Sequence, residues 1–233
     1  MTPIDTLFHH MDHWRHLPAY QLERRADLFF SAYLPAVVAE HTGTPIAPDL
    51  IPELPIRRDL IWPDRPSRTS VKVDYALFAA DRSKVFFVEL KTDNASRRDR
   101  QDAYLARSVD IGFQPIVQGI VDISQATQER QKYGHLLHAL ARHGCLRLPP
   151  ELDAHLWPKP RRGLRRLLEQ VEVTVADDEL AVEVLYVQPR GGGRDTINFD
   201  AFASFVEQHE DGLSQRFAAS LRAWVRPAGQ TPP

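Results

Sequence analysis

SVKVDYALFAADRSKVFFVELK, residues 70–91, is the stretch that decides the fold. Its two halves, 70–80 and 84–91, are rich in β-branched and aromatic residues, and the polar Asp81-Arg82-Ser83 separates them. That composition predicts two strands joined as a hairpin. Side chains alternate across a strand, so Glu89 and Lys91 share one face while Val88 and Leu90 take the other. An acid and a base at the end of a run as apolar as FFVEL are costly to bury unless something compensates them. Asp74 lies in the first strand, which a hairpin brings alongside the second, so two carboxylates are expected to aim at one place.

Two like charges about 4 Å apart repel by on the order of 4 kcal/mol at an intermediate dielectric. A divalent cation reverses the sign of that interaction. Magnesium prefers oxygen ligands, uses one or two carboxylates and retains several waters. It makes a bound water a better nucleophile and stabilises the charge on a phosphoryl group under attack. Lys91, on the face of Glu89, suits orienting or deprotonating that water, or neutralising a developing phosphorane. The plain alternative is a surface hairpin on which Glu89 and Lys91 form an ion pair of little worth.

Outward from the hairpin, residues 20–40 read as an amphipathic helix. Leu22, Phe29, Phe30, Tyr33, Val37 and Val38 recur at spacings of three and four, and Pro35 is expected to kink or split it. Prolines crowd residues 45–66, which leaves Ile51 to Ile56 as a short edge strand and excludes a central one. After the hairpin, a helix is expected at about 95–110 with Ala103, Leu105, Ala106 and Val109 as its apolar positions. Residues 113–143 look helical and stop at Gly144. Residues 149–160 read as a connection. VEVTV (171–175) and LAVEVLYV (180–187) read as strands, the second apolar enough to be covered on both faces. A last helix is expected at about 199–225, with Gly212 as a point of division. The expectation is an α/β fold, a mixed sheet flanked by helices. It forms a single domain over 1–233, with its core at about 20–110 and 171–225 and a helical insertion at about 113–170.

Asp74, a gap of fourteen residues, then Glu89-Leu90-Lys91 on the next strand, behind an amphipathic helix, resembles the PD-(D/E)XK nuclease superfamily. That superfamily includes restriction enzymes, recombination nucleases and junction resolvases. Val73 stands where the family's name has proline. The resemblance spans about residues 20–110, with the strand at 180–187 as a fourth core strand. It implies a restriction-endonuclease-like core and a metal-dependent hydrolysis of phosphodiester bonds in nucleic acid, DNA in preference to RNA. By the same resemblance, Asp74 and Glu89 hold Mg²⁺ together with the carbonyl of Leu90, and Lys91 is catalytic. Glu23 is the further catalytic acid from the upstream helix, with Glu40 competing for the role. Mn²⁺ is expected to substitute, since it shares the preference for hard oxygen ligands. Gln101 and Tyr104 are similar to the Q-x-x-x-Y of the RecB-like branch, although the spacing here is Q-x-x-Y. The competing reading is a nuclease-fold protein that binds nucleic acid or a partner protein without cutting.

Arg97, Arg98, Arg100 and Gln101 follow the site and are candidate contacts to a nucleic-acid backbone. Asp93, Asp99 and Asp102 offer the opposite reading of a balanced, solvated face. Arg161, Arg162, Arg165 and Arg166 form a second basic cluster, expected on one side of a helix. His9, His10, His13 and His16 have metal-like spacing, but no glutamate completes H-E-x-x-H. Gly191-Gly192-Gly193 lacks the lysine and hydroxyl residue of a P-loop and reads as a turn. Ser31, Ser70 and Cys145 have no recognisable nucleophile context. A net charge of -2 makes no case for a polyanion partner and excludes none, because a groove depends on where the charge sits. With Cys145 alone, these 233 residues can form neither an internal disulfide nor a thiolate zinc cage. No signal-peptide pattern and no apolar run near the membrane-spanning length of about 20 residues is present. The expectation is a cytoplasmic protein with no membrane partner, and a homodimer is left open.

Overall fold

The computed structural model describes residues 2–64, 69–92, 99–159, 162–176 and 180–225, with the backbone alone for 99 and 100. In chain order the elements are α1 (Pro3–Trp14), α2 (Leu22–Thr42), β1 (Ile46–Arg57), α3 (Arg58–Ile61), β2 (Ser70–Ala79) and β3 (Lys84–Leu90). There follow α4 (Asp99–Ile111), α5 (Phe113–Ala126), α6 (Arg130–Arg142), β4 (Leu146–Arg147), α7 (Leu152–Leu156) and α8 (Leu164–Leu168). The chain closes with β5 (Glu172–Val173), β6 (Ala181–Gln188), β7 (Thr196–Asn198), α9 (Phe199–Val206) and α10 (Gly212–Trp224).

Five strands form one sheet in the order β1-β2-β3-β6-β7, and β4 pairs with β5 in a separate ribbon. Between β2 and β3 the chain turns tightly. Asp81 Oδ1 accepts from the backbone N–H and the hydroxyl of Ser83, and Arg82 takes a left-handed φ of 62°. So short a connection allows only antiparallel neighbours. The Arg58 N–H meets the Thr69 carbonyl while Lys72 pairs with Glu53, an order that makes β1 antiparallel to β2. On the other side, Ala181 N–H bonds to Ser83 and Lys91 N–H to Val187, so β3 and β6 ascend together. β6 and β7 are also parallel. The molecule is therefore α/β with a mixed sheet flanked by helices, and β1 is the edge strand its prolines require. It is twice as long as the expected Ile51 to Ile56, running over 12 residues.

The described residues fall into two compact units. The first takes Met1–Pro48, Val88–Gln101 and Leu185–Pro233, and its core is aromatic. α2 buries Leu22, Ala26, Phe30, Leu34, Val37 and Val38. The expected Phe29 and Tyr33 are only half-buried, one position off the centre of that stripe. Phe30 meets Phe199, Phe202 and Phe217 with ring centroids 5.4, 5.1 and 5.2 Å away, the spacing at which aromatic rings attract. Asp12 accepts from Arg216 at 2.6 Å and from Trp224 Nε1 at 2.8 Å, which ties α1 to α10. Pro35 does not split α2. An interior proline costs about 3 kcal/mol, and the buried residues on both sides of it outweigh that loss.

β6 returns to the parallel β7 through only seven residues, 189–195, far fewer than a helical crossover uses. Gly191 at φ 122° and Gly193 at φ 115° make the reversal feasible, because those angles are closed to other residues. The glycine run is thus a turn, as its sequence suggests. The helix expected over 199–225 is two helices. The break lies at 207–211, ahead of Gly212, and Asp211 caps α10 by accepting from the N–H groups of Leu213 and Ser214, each at 3.0 Å.

The second unit takes Asp49–Phe87 and Asp102–Val184. The stretch 113–143 is two helices, α5 and α6, parted at 127–129. α6 ends at Gly144, φ 71°, in a Schellman motif: Cys145 N–H reaches Leu140 O and Gly144 N–H reaches Ala141 O. VEVTV does not join the main sheet, and only Glu172–Val173 pairs, with Leu146–Arg147. Gly163 precedes α8 at φ 97°, so Arg162 lies outside the helix. Arg165 and Arg166 are adjacent and point about 100° apart rather than to one side; Arg161 lies outside the described residues. On α4 the inward stripe is Tyr104, Leu105 and Ser108, while Ala103, Ala106 and Val109 face solvent. Small alanines are tolerated on either face, and the large Tyr104 sets the phase instead.

Two stability measurements follow. Asp211→Ala should cost about 1 kcal/mol in urea unfolding and Asp211→Asn much less, as for any N-cap of this kind. His143 stacks on Phe78 at 3.9 Å. Burial, then the charges of Arg142 and Arg82, holds its pKa below the ordinary 6.5 against the opposing pull of Asp49. The fold thus favours the neutral ring. Its contribution is full above that ordinary value and is lost as pH falls through the lowered one. Melting curves on the acid side should therefore flatten in His143→Phe relative to the native chain.

Candidate active site on the third strand

Strand β3 is apolar to its core: Val85, Phe86, Phe87 and Val88 are each 0% exposed. Two charges interrupt that run, Glu89 at 2% and Lys91 at 4% exposure. Burial on this scale is tolerated only for paired groups. Lys91 Nζ donates to Glu89 Oε1 at 2.8 Å and to the Leu90 carbonyl at 3.1 Å. The same Oε1 accepts from Gln101 Nε2. The Lys91 N–H donates to Val187 O at 2.8 Å, so β6 pins the strand where the charges sit. The reading as an exposed surface pair is therefore wrong.

The structure brings Glu89, Leu90, Lys91 and Gln101 together inside the first unit. The helix phase explains Gln101: it lies three, four and seven residues before Tyr104, Leu105 and Ser108, on the inward stripe of α4. Asp74 is half-buried on β2, the strand next to β3 in the sheet order. Glu23 is half-buried in the first turn of α2, whereas its rival Glu40 is exposed near that helix's end. Arg97 and Arg98 lie outside the described residues, as does the side chain of Arg100. The Tyr104 hydroxyl donates to the Lys72 carbonyl at 3.0 Å, which anchors α4 on β2 within the second unit.

Whether this chemistry suits a hard cation can be judged from Lys91 itself. Its ammonium is a cation held by a carboxylate oxygen and a carbonyl oxygen, 2.8 and 3.1 Å away. These are the two donor types that magnesium selects. Among the described residues no three His, Cys, Asp or Glu side chains gather as a ligand set. Magnesium does not require three, since one or two carboxylates and water suffice. The donors of Glu89 and Leu90 fit. Around α1, His13 Nδ1 is bonded to the His9 carbonyl and the His10 ring is stacked on Trp14, so the histidines there are engaged locally. A cleft of about 470 Å³ in the second unit, bounded by Arg147, Pro149, Glu169 and Glu172, contains none of the site residues.

No protein-family model, no curated protein and no solved structure matches this chain.

Breaking a buried pair by removing one partner costs about 3–5 kcal/mol. Lys91→Met should lower stability by that order in urea, and adding Glu89→Gln should recover most of the loss. A Lys91→Met chain as stable as the native one would show that Glu89 is solvated.

Proposed function

We propose that the chain is a metal-dependent nuclease of the PD-(D/E)XK type, hydrolysing phosphodiester bonds of DNA on a restriction-endonuclease-like core. The observation that carries this reading is the buried Glu89–Lys91 pair, closed by Gln101, at the end of an otherwise apolar strand. The antiparallel β2–β3 hairpin with Asp74 on its first strand supports it. In this reading Asp74, Glu89 and the Leu90 carbonyl hold Mg²⁺, which supplies a polarised water and charge neutralisation at the phosphorus. Lys91 steadies the attacking water or the charge that builds on the phosphoryl oxygens. Gln101 orients the Glu89 carboxylate by its hydrogen bond, so that one oxygen has a fixed direction. Glu23 is the additional acid, assigned by the family resemblance and by its half-buried place on α2. Manganese serves in place of magnesium.

The test is cleavage of mixed single- and double-stranded DNA and RNA with Mg²⁺ or Mn²⁺. Native protein should cut, and chelation should stop it. Loss of a positioned acid–base group typically costs about 10²–10⁴-fold, so Asp74→Asn, Glu89→Gln and Lys91→Met should each fall at least that far. Asp74→Asn is the decisive variant, because it keeps the size of the side chain and removes its charge, and a melting curve of the variant checks its fold. Cleavage that survives it would refute the assignment. Tight binding with no cleavage by the native chain would leave a binding protein on the same core.

A further inference from the structure

The corner between α1 and α2 presents ordered aromatic rings to solvent. Trp14, the last residue of α1, is 43% exposed. The His10 ring lies against it, with centroids 4.1 Å apart and planes 10° from parallel. One indole face is thereby covered by the imidazole. Tyr20 meets the indole edge-on at 6.2 Å, and Arg25 lies over the Tyr20 ring at 4.9 Å. Each ring is held in its plane by a neighbour, which lowers the entropy lost when a ligand stacks on it.

Charge completes the surface. From His13 to Arg25 the chain carries Arg15, Arg24 and Arg25 against one acid, Glu23. Arg24 and Arg25 are both exposed. The nearest acid upstream, Asp12, is already occupied by Arg216 and Trp224. A partly exposed indole close to the Arg25 guanidinium, through Tyr20, matches an unpaired base with its flanking phosphate. Paired bases hide their faces in the stack, so a duplex gains nothing from the ring. Ile4, Leu7 and Leu17, on α1 and the connection to α2, are also exposed. Four side chains at about half exposure nevertheless fall short of the ~800 Å² per partner of a stable dimer.

We propose that the α1–α2 corner binds single-stranded DNA, with Trp14 stacked on an unpaired base and Arg25 on an adjoining phosphate. Glu23 lies just before this arginine, so a strand held here runs past the first turn of α2. Binding at the corner stands apart from the cleavage reading and is measured without it.

Fluorescence anisotropy of a labelled oligothymidylate, with EDTA present to exclude cleavage, is the direct measurement. Trp14→Ala should weaken binding about tenfold, while Trp14→Phe keeps most of it. Single-strand binding loses about 0.7 in salt slope for each phosphate contact. Arg25→Gln should therefore lower the slope of log Kd against log salt by about 0.7. Equal or tighter binding of a duplex, or an unchanged Kd in Trp14→Ala, would overturn the proposal. So would self-association that Trp14→Ala abolishes, since the patch would then belong to a second copy. Binding at the corner with no cleavage upholds it and removes only the nuclease reading; cleavage with no oligothymidylate binding removes the corner alone.

Discussion

Everything at the centre of this molecule turns on keeping a carboxylate and an ammonium out of water at the end of β3. Removing two such charges from solvent costs several kcal/mol each, and only close pairing with full hydrogen bonding offsets it. The pair at 2.8 Å, the Leu90 carbonyl and the Gln101 amide supply part of that bonding, and on the carboxylate the lysine and the amide both donate to Oε1. Each depends on a different element. The pleat of β3 sets Glu89 and Lys91 on one face, the phase of α4 delivers Gln101, and β6 fixes the backbone of Lys91 through Val187. A shift of one residue in strand register would turn both charges to the opposite face.

Stability alone does not account for such an arrangement. Apolar residues of similar volume in place of a buried ion pair are often neutral or stabilising. The rest of β3, from Val85 to Val88, shows that this chain fills the same strand with apolar side chains where nothing else is required. The cost is concentrated at two positions, both within reach of one carbonyl and one amide. That concentration is what the nuclease reading builds on, because charges held out of water at one spot are a common feature of sites that bind ions.

The hairpin and its paired charges were legible because strand propensity, a short polar turn and a period of two all agree over residues 70–91. The edge position of β1 was equally legible, since prolines cannot donate to a second neighbour. Other features depended on packing that a linear pattern does not carry. Pro35 reads as a break, yet burial of Phe30, Leu34, Val37 and Val38 holds α2 together across it. On α4, alanines imitate an apolar stripe while the bulk of Tyr104 and Leu105 sets the actual one, and this rotation is what turns Gln101 toward Glu89. VEVTV has strand composition, but it pairs only with the short segment at 144–147, through Glu172, Val173 and the Thr174 N–H, and not with the main sheet. Trp14 looks like any core aromatic until its 43% exposure is known.

The position of Lys91 links the structural and chemical halves of the picture. Its ammonium touches the carboxylate and the carbonyl that the nuclease reading gives to a divalent ion. Lysine and metal therefore draw on the same oxygens, and two cations sharing them repel one another. In that reading a bound ion would weaken the hold of the lysine on Glu89, and the freed ammonium would suit the negative charge of a phosphodiester. A strand end that pairs its own charges when empty and would, on that reading, turn a cation toward an anionic substrate when loaded needs no separate device to couple the two. On the nuclease reading, the pair that makes β3 tolerable to fold would be the same pair that serves the chemistry.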